Sequence, residues 1–325
     1  MARNWCLTEI PWFTRRRACT IRITVTDVVS PSYFIVIAAV ELGFFAREGV
    51  DVEFVLPPSD ASRALREGEI DLYGASPYVG LMAFPDWQGG KLLCALSQGA
   101  YWVLAVRADL GAVRGDFSVL RGLRLLSGRG PSLALARLLK AIGMDLKRDG
   151  VQIVAPPWPP DPGANLARQG ARAISEDVAD GFWGNALRAE YAVRNKLATV
   201  LADIRHGDGP SESRHFTFPA LVASDQFVQQ HQGAAAASVR AIVKTQRALK
   251  ADPSLASHAA KRLFPREEAM MIAELVGRDA AFYDATISKE AVFGAIRFAH
   301  DVGLITRSIN YEDVVVETFR PLWRM

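Results

Sequence analysis

Cysteine is scarce in this 325-residue chain: Cys6, Cys19 and Cys94 stand far apart, with no CxxC pair and no metal-ligand spacing. That leaves no basis for a structural zinc centre; Cys6 and Cys19 could pair in an oxidising compartment, although free thiols are the simpler expectation. Runs of one charge are also lacking. Lys and Arg exceed Asp and Glu by only three, and Arg15–Arg17 is the sole basic cluster, too short for a nucleic-acid patch. No apolar run is long enough to span a bilayer. The first twenty residues show neither the apolar stretch nor the small-residue cleavage site of a secretory signal, so export is not visible here. Catalytic signatures are missing as well. The five histidines form no HExxH, no GxSxG elbow occurs, and there is no GxxxxGK[ST] phosphate loop. Gly128-Arg-Gly130 lacks the third glycine and the acidic partner of a dinucleotide loop. No cofactor and no metal are therefore expected.

What the chain does have is half its residues hydrophobic, enough for two lobes with full cores. Its organising stretch is Ser30 to Leu56. Ile21–Thr26 alternates like a strand, Ser30 and Pro31 begin an apolar helix, Gly49 fits its left-handed end, and a second strand follows. Such a strand–helix–strand unit opens its helix N-terminus at the carboxyl end of a sheet, where free N–H groups suit an anion.

The same grammar recurs. Glu69–Tyr73 leads through Gly74 and Ser76-Pro77 into a helix. Leu120–Leu126 leads through Ser127–Ser132 into another that ends at Gly143, and Val178–Trp183 leads through Gly184-Asn185 into a third. Alternation up to residue 222 predicts an α/β fold of two doubly wound sheets. The polar segment Asp109–Asp116 reads as one crossing between lobes, and His215–Val222 as the return. Helical patterns from Ala234 to Phe319 then cover the first lobe and hinge. The domain plan is an N-terminal extension (1–20), lobe 1 (21–112 and 217–325) and lobe 2 (113–216).

If both sheets present their carboxyl ends to one cleft, four helix N-termini converge on it. Capping of its own helix is explanation enough for any single Ser, Asn or Gly, and it is the repetition across both lobes that favours a shared site. Arg129 is the one cation inside a glycine loop at a helix start, suited to a carboxylate or sulfonate. Of the aromatics near strand ends (Tyr33, Tyr78, Trp102, Trp158, Trp183), Tyr33 and Trp183 are the ligand-lining candidates, and His215 is the histidine nearest the cleft.

Glu41-Leu-Gly-Phe-Phe-Ala-Arg-Glu-Gly49 with Val50-Asp-Val-Glu-Phe54 resembles the first helix and second strand of a known family. Its members are the solute-binding proteins of ABC importers for nitrate, sulfonates and taurine, together with the thiamine-pyrimidine-precursor proteins. Leu120–Leu126, Ala141-Ile-Gly143 and Asp180–Asn185 extend the resemblance across most of residues 21–300. It implies a two-lobed type II periplasmic-binding-protein fold with a hinge and helical C-terminal segment. It also implies a small anionic ligand, a membrane permease as partner, a monomer and a periplasmic location. By position, Ser30, Ser32, Tyr33, Gly74, Ser76, Ser127, Arg129, Gly130, Ser132, Trp183 and Asn185 would line the site. The pyrimidine-synthase members carry a cysteine cluster that Cys94 alone does not reproduce. The alternative is a cytoplasmic enzyme on the same fold, such as an aromatic-acid decarboxylase or a pyrimidine-precursor enzyme; a sensor domain would need a partner domain.

Overall fold

A computed structural model describes residues 20–325 except 160 and 162. The extension before Thr20, with Cys6, Cys19 and Arg15–Arg17, lies outside the described residues. Strand β1 (Ile21–Val25) leads to helix α1 (Pro31–Glu41), then α2 (Phe44–Arg47) and β2 (Val52–Phe54). Gly43 and Gly49 take φ of +72° and +76° at the two ends of α2, a left-handed conformation that costs glycine little. Asp60 caps α3 (Ala61–Arg66) by accepting from Arg63 N at 2.8 Å. Strand β3 (Leu72–Ala75), helix α4 (Pro77–Leu81) and β4 (Gly90–Ala95) complete this part.

The chain continues with β5 (Val103–Arg107), β6 (Arg124–Leu126), α5 (Arg129–Ala141), β7 (Gln152–Val154) and α6 (Gln169–Ser175). Next come β8 (Gly181–Gly184), α7 (Ala186–Arg194), β9 (Ala198–Asp203) and β10 (Ala220–Ser224). Two five-stranded sheets result, ordered β2-β1-β3-β10-β4 and β7-β6-β8-β5-β9. In each, the fourth strand runs antiparallel to both neighbours while β1–β3 and β6–β8 pair in parallel. The antiparallel strand is in both cases the one that has just arrived from the other sheet.

This topology relocates one crossing. The expected passage at Asp109–Asp116 is an exposed loop beyond β5, and the chain passes between sheets at residues 96–102 instead. Leu96, Ala100 and Trp102 are buried in that passage. Polarity misled because a crossing walled by other elements is largely buried, Ser97 included, whereas the polar loop that follows β5 is exposed. The return runs through residues 204–219 into β10.

The remaining helices are α8 (Asp225–Gln230), α9 (Gln232–Ala251), α10 (Leu255–Ala260), α11 (Arg266–Asp279), α12 (Lys289–Asp301) and α13 (Tyr311–Val314). Helix α9 packs on α1 and α2, where Glu48 meets Arg240 at 2.6 Å and Lys244 at 2.5 Å. Helix α11 touches both α1 and α7, and so reaches both lobes. No described helix is long and apolar enough to cross a membrane.

Candidate functional site

Three hydroxyls meet where α1 and α4 begin. Tyr33 Oη lies 3.1 Å from Ser76 Oγ and 2.5 Å from Tyr101 Oη, and Ser76 Oγ lies 3.1 Å from Tyr101 Oη. Burial pushes the Tyr33 and Tyr101 phenols well up, so both remain neutral hydroxyls. A serine that only starts a helix turns its oxygen to the amide two or three residues on. Neither Ser30 nor Ser76 makes that bond. Ser76 is turned to the two tyrosines, while Ser30 Oγ and Ser32 Oγ are buried with no partner.

Just before α1, Asp27 Oδ1 accepts from Ser30 N at 2.7 Å and Val29 N at 3.0 Å, a short Asx-type turn. It also accepts from Asn185 Nδ2 at 3.4 Å, a bond that crosses between the lobes. Burial pushes the Asp27 carboxyl above its ordinary range, against the pull of the Arg188 charge and of these donors.

The second lobe answers with α7. Asn185 does cap its helix, accepting from Arg188 N at 3.2 Å. The Arg188 side chain folds over Gly184, whose absent Cβ would sit 3.1 Å from Arg188 Cδ. Its Nε is buried without a hydrogen-bond partner, and it forms no ion pair among the described residues. Desolvation lowers its pKa, and Asp27 across the cleft counters that. Trp183 Nε1, on the adjoining strand β8, is likewise buried and unpaired.

An aromatic row joins the two sides. Ring centroids are 5.3 Å apart for Tyr33 and Tyr101, 5.4 Å for Tyr101 and Trp102, and 5.6 Å for Trp102 and Trp183. The fourth helix start is also close, since a side chain at Gly130 would come within 3.8 Å of Val79 on α4.

Of the residues singled out from the sequence, Ser30, Ser32, Tyr33, Ser76, Trp183 and Asn185 fall in this group. Arg129 opens α5 as an exposed residue on the rim beside Gly130, and Ser132 Oγ donates to Arg129 O at 2.7 Å within that turn. Ser127 is buried with its Oγ toward Gly128 O at 3.3 Å. Gly74 lies inside β3, packed under Val25, Val36 and Leu96. His215 is exposed, 3.7 Å from Glu290 at the hinge. Among the described residues no group of three His, Cys, Asp or Glu side chains could hold a metal.

Asp27, Tyr101 and Arg188 escaped the sequence reading. Arg188 did leave a trace, because a cation in the first turn of a helix opposes the helix dipole and needs a reason to be there.

The chemistry follows from what is left unpaired. A buried polar group without a partner costs about 1–3 kcal/mol, more when charged. Ser30 Oγ, Ser32 Oγ, Trp183 Nε1 and Arg188 Nε form such a set, drawn from both lobes, and each can donate. A ligand rich in acceptor oxygens suits such donors, and a negative one would also offset Arg188.

No protein-family model matches this chain, and no curated protein matches it. Solved structures do. The periplasmic nitrate-binding protein NrtA from Synechocystis PCC 6803 is 14% identical, with 95% of this chain and 89% of that chain covered and a TM-score of 0.72. The alkanesulfonate-binding protein SsuA from Xanthomonas axonopodis pv. citri, bound to MOPS, is 14% identical over 91% and 97% of the two chains (TM-score 0.68). A DszB mutant in complex with biphenyl-2-sulfinic acid is 14% identical over 94% and 99% (TM-score 0.66). The fold is thus that of the periplasmic binding proteins, as the strand orders indicate.

Proposed function

We propose that this chain is a solute-binding protein that closes its two lobes on a small organic oxyanion, of the sulfonate, sulfinate or aromatic carboxylate class, and hands it to an ABC-importer permease. The observation that carries this reading is the set of unpaired donors on both sides of the cleft, with Arg188 as the cation and the aromatic row beside it. Lobe 1 supplies Ser30, Ser32 and the start of α1; lobe 2 supplies Trp183 and Arg188. A ligand held by both would favour the closed arrangement by hinge motion. Structural neighbours that bind alkanesulfonate, nitrate and an aryl sulfinate support an oxyanion, and the aromatic row favours one with a hydrocarbon or aromatic body over nitrate. A periplasmic, monomeric protein working with a membrane partner is the corresponding cellular reading.

A catalytic role on the same fold has less support. Cys94 is buried, with burial holding its thiol far above the ordinary range, and none of the unpaired cleft groups is a nucleophile paired with a base.

The test is a thermal-shift and calorimetric series with alkanesulfonates, biphenyl-2-sulfinate, aromatic carboxylates and nitrate in a buffer free of sulfonates. A micromolar ligand at millimolar concentration should stabilise the fold by about 4 kcal/mol, roughly 6 °C for a chain this long. Recovery of the ligand unchanged by mass spectrometry is expected; a product would establish the enzyme instead. No shift from any of these anions would overturn the reading.

A further inference from the structure

A second pocket of about 360 Å³ lies against the hinge, walled by both crossing segments and by the start of α12. Gln98 and Gly99 come from the first crossing, Arg205, Arg214, His215 and Thr217 from the second, and Ser288 and Glu290 from α12 and its cap. None of these belongs to the cleft group. Two polar side chains in this wall are almost wholly buried yet incomplete. Arg205, 3% exposed, donates through Nη1 to Asp279 at 3.0 Å and through Nη2 to Ser97 Oγ at 2.9 Å and Gly99 O at 3.5 Å. Its Nε has no partner, and neither does Thr217 Oγ1 on a residue 1% exposed.

Charge points the same way. Arg205 is paired with Asp279, and Glu290, the one carboxylate of the wall, is 78% exposed and 3.7 Å from His215. Arg214 adds a cation that forms no ion pair among the described residues. An unpaired N–H and an unpaired hydroxyl lie just beneath the wall of this pocket, beside an exposed guanidinium, a combination that suits an acceptor-rich anion. The wall is also tight: a Cβ at Gly294 of α12 would sit 2.5 Å from His215 O, so α12 is pressed against the second crossing.

We propose that this hinge pocket is a second binding site, for a small oxyanion such as a carboxylate or phosphate, held by Arg205, Thr217 and Arg214 independently of the cleft. Its occupant would brace both crossings at once, and any effect on cleft affinity would be reciprocal by linkage.

Titration calorimetry of the full chain with inorganic phosphate and, separately, succinate tests this up to about 20 mM, a range that reaches millimolar affinities. Binding of at least one anion is expected, and which one binds tells the two sources apart. Thr217→Val, a change of equal shape, and Arg214→Gln, at an exposed residue, should each weaken it by about fivefold or more. Arg188→Leu, which strips the cleft of its cation, should leave it within about twofold. The proposal is overturned if neither anion binds, if neither hinge variant weakens binding, or if Arg188→Leu abolishes it. The last outcome would assign the anion to the cleft.

Discussion

The two lobes share one strand order and differ in how their helices are used. Nine of the eleven residues of α1 are buried, whereas α5 buries four of thirteen. The cause is the C-terminal tail: α9, α10 and α11 cover α1, so it is apolar all round, while α5 keeps a solvated face. The cleft faces differ in parallel. On the lobe 1 side Tyr33, Ser76 and Tyr101 satisfy one another and Asp27 is held by backbone donors, which leaves the neutral hydroxyls of Ser30 and Ser32 unspent. Lobe 2 presents Trp183 and an unspent cation, Arg188. A repeated fold has thus been divided into a braced scaffold and a charged jaw, and ligand energy should come mainly from the jaw.

The sharpest way to break that asymmetry is Arg188→Leu. Removing a desolvated cation from an anion site should weaken ligand binding by about 100-fold or more, near 3 kcal/mol. Because Arg188 has no ion pair to lose, the melting temperature should stay level or rise. Calorimetry beside thermal denaturation checks both; a stability loss with unchanged affinity would make Arg188 structural.

Next in size is the clamp between tail and lobe 1. Glu48, 7% exposed at its side chain, faces Arg240 and Lys244, which are 30% and 52% exposed. Glu48→Gln should cost about 1–2 kcal/mol, reduced from the fully buried case by the exposure of its partners. Lys244, with Arg240, holds the carboxyl below its ordinary 4.5. A lowered folded pKa means that this stability is present above pH 4.5 and is lost as pH falls through the folded value. Urea midpoints of wild type and variant should therefore converge in acid, while ligand affinity at neutral pH is unchanged.

Asp27→Asn comes third and separates the two faces by charge. The Asn oxygen can still accept from Val29 and Ser30, but the negative charge facing a bound anion is gone. Affinity should rise about tenfold, equivalent to 1.4 kcal/mol. A raised folded pKa stabilises below the unfolded value near 3.8, and that stability is lost as pH rises through the folded pKa. Wild-type anion binding should accordingly strengthen on acidification, and the Asn variant should flatten that profile. A variant whose affinity falls instead would show Asp27 gripping a positive group on the ligand.

The sheets and their helix starts were legible because the grammar of strand, small polar turn, helix and glycine is local, and each unit carried it in consecutive residues. Ser30, Ser32, Tyr33, Ser76, Trp183 and Asn185 sat inside that grammar. The crossing at 96–102 did not, since a short irregular link between two strands reads like any hairpin connection, and only pairing reveals that β5 joins the second sheet. Arg129 drew attention through its glycine loop, although exposure puts it on the rim. Arg188 was hidden one turn deeper, where position on the helix, not neighbouring sequence, decides what a side chain faces. Tyr101 reaches its partners only through long-range contact with residues 33 and 76.

Tyr101 also provides the smallest test. Tyr101→Phe removes one oxygen from the hydroxyl triangle and leaves Tyr33 and Ser76 bonded at 3.1 Å. The ring stays, so the aromatic row from Tyr33 to Trp183 keeps its packing. The loss should be about 1 kcal/mol of stability, the usual net value of a buried hydrogen bond whose partners can still pair. If the lobe 1 face is scaffold, ligand affinity should change by less than about threefold, since a difference that small is under 1 kcal/mol. A tenfold loss of affinity with stability intact would mean that the triangle opens to grip the ligand, and the division between scaffold and jaw would have to be redrawn.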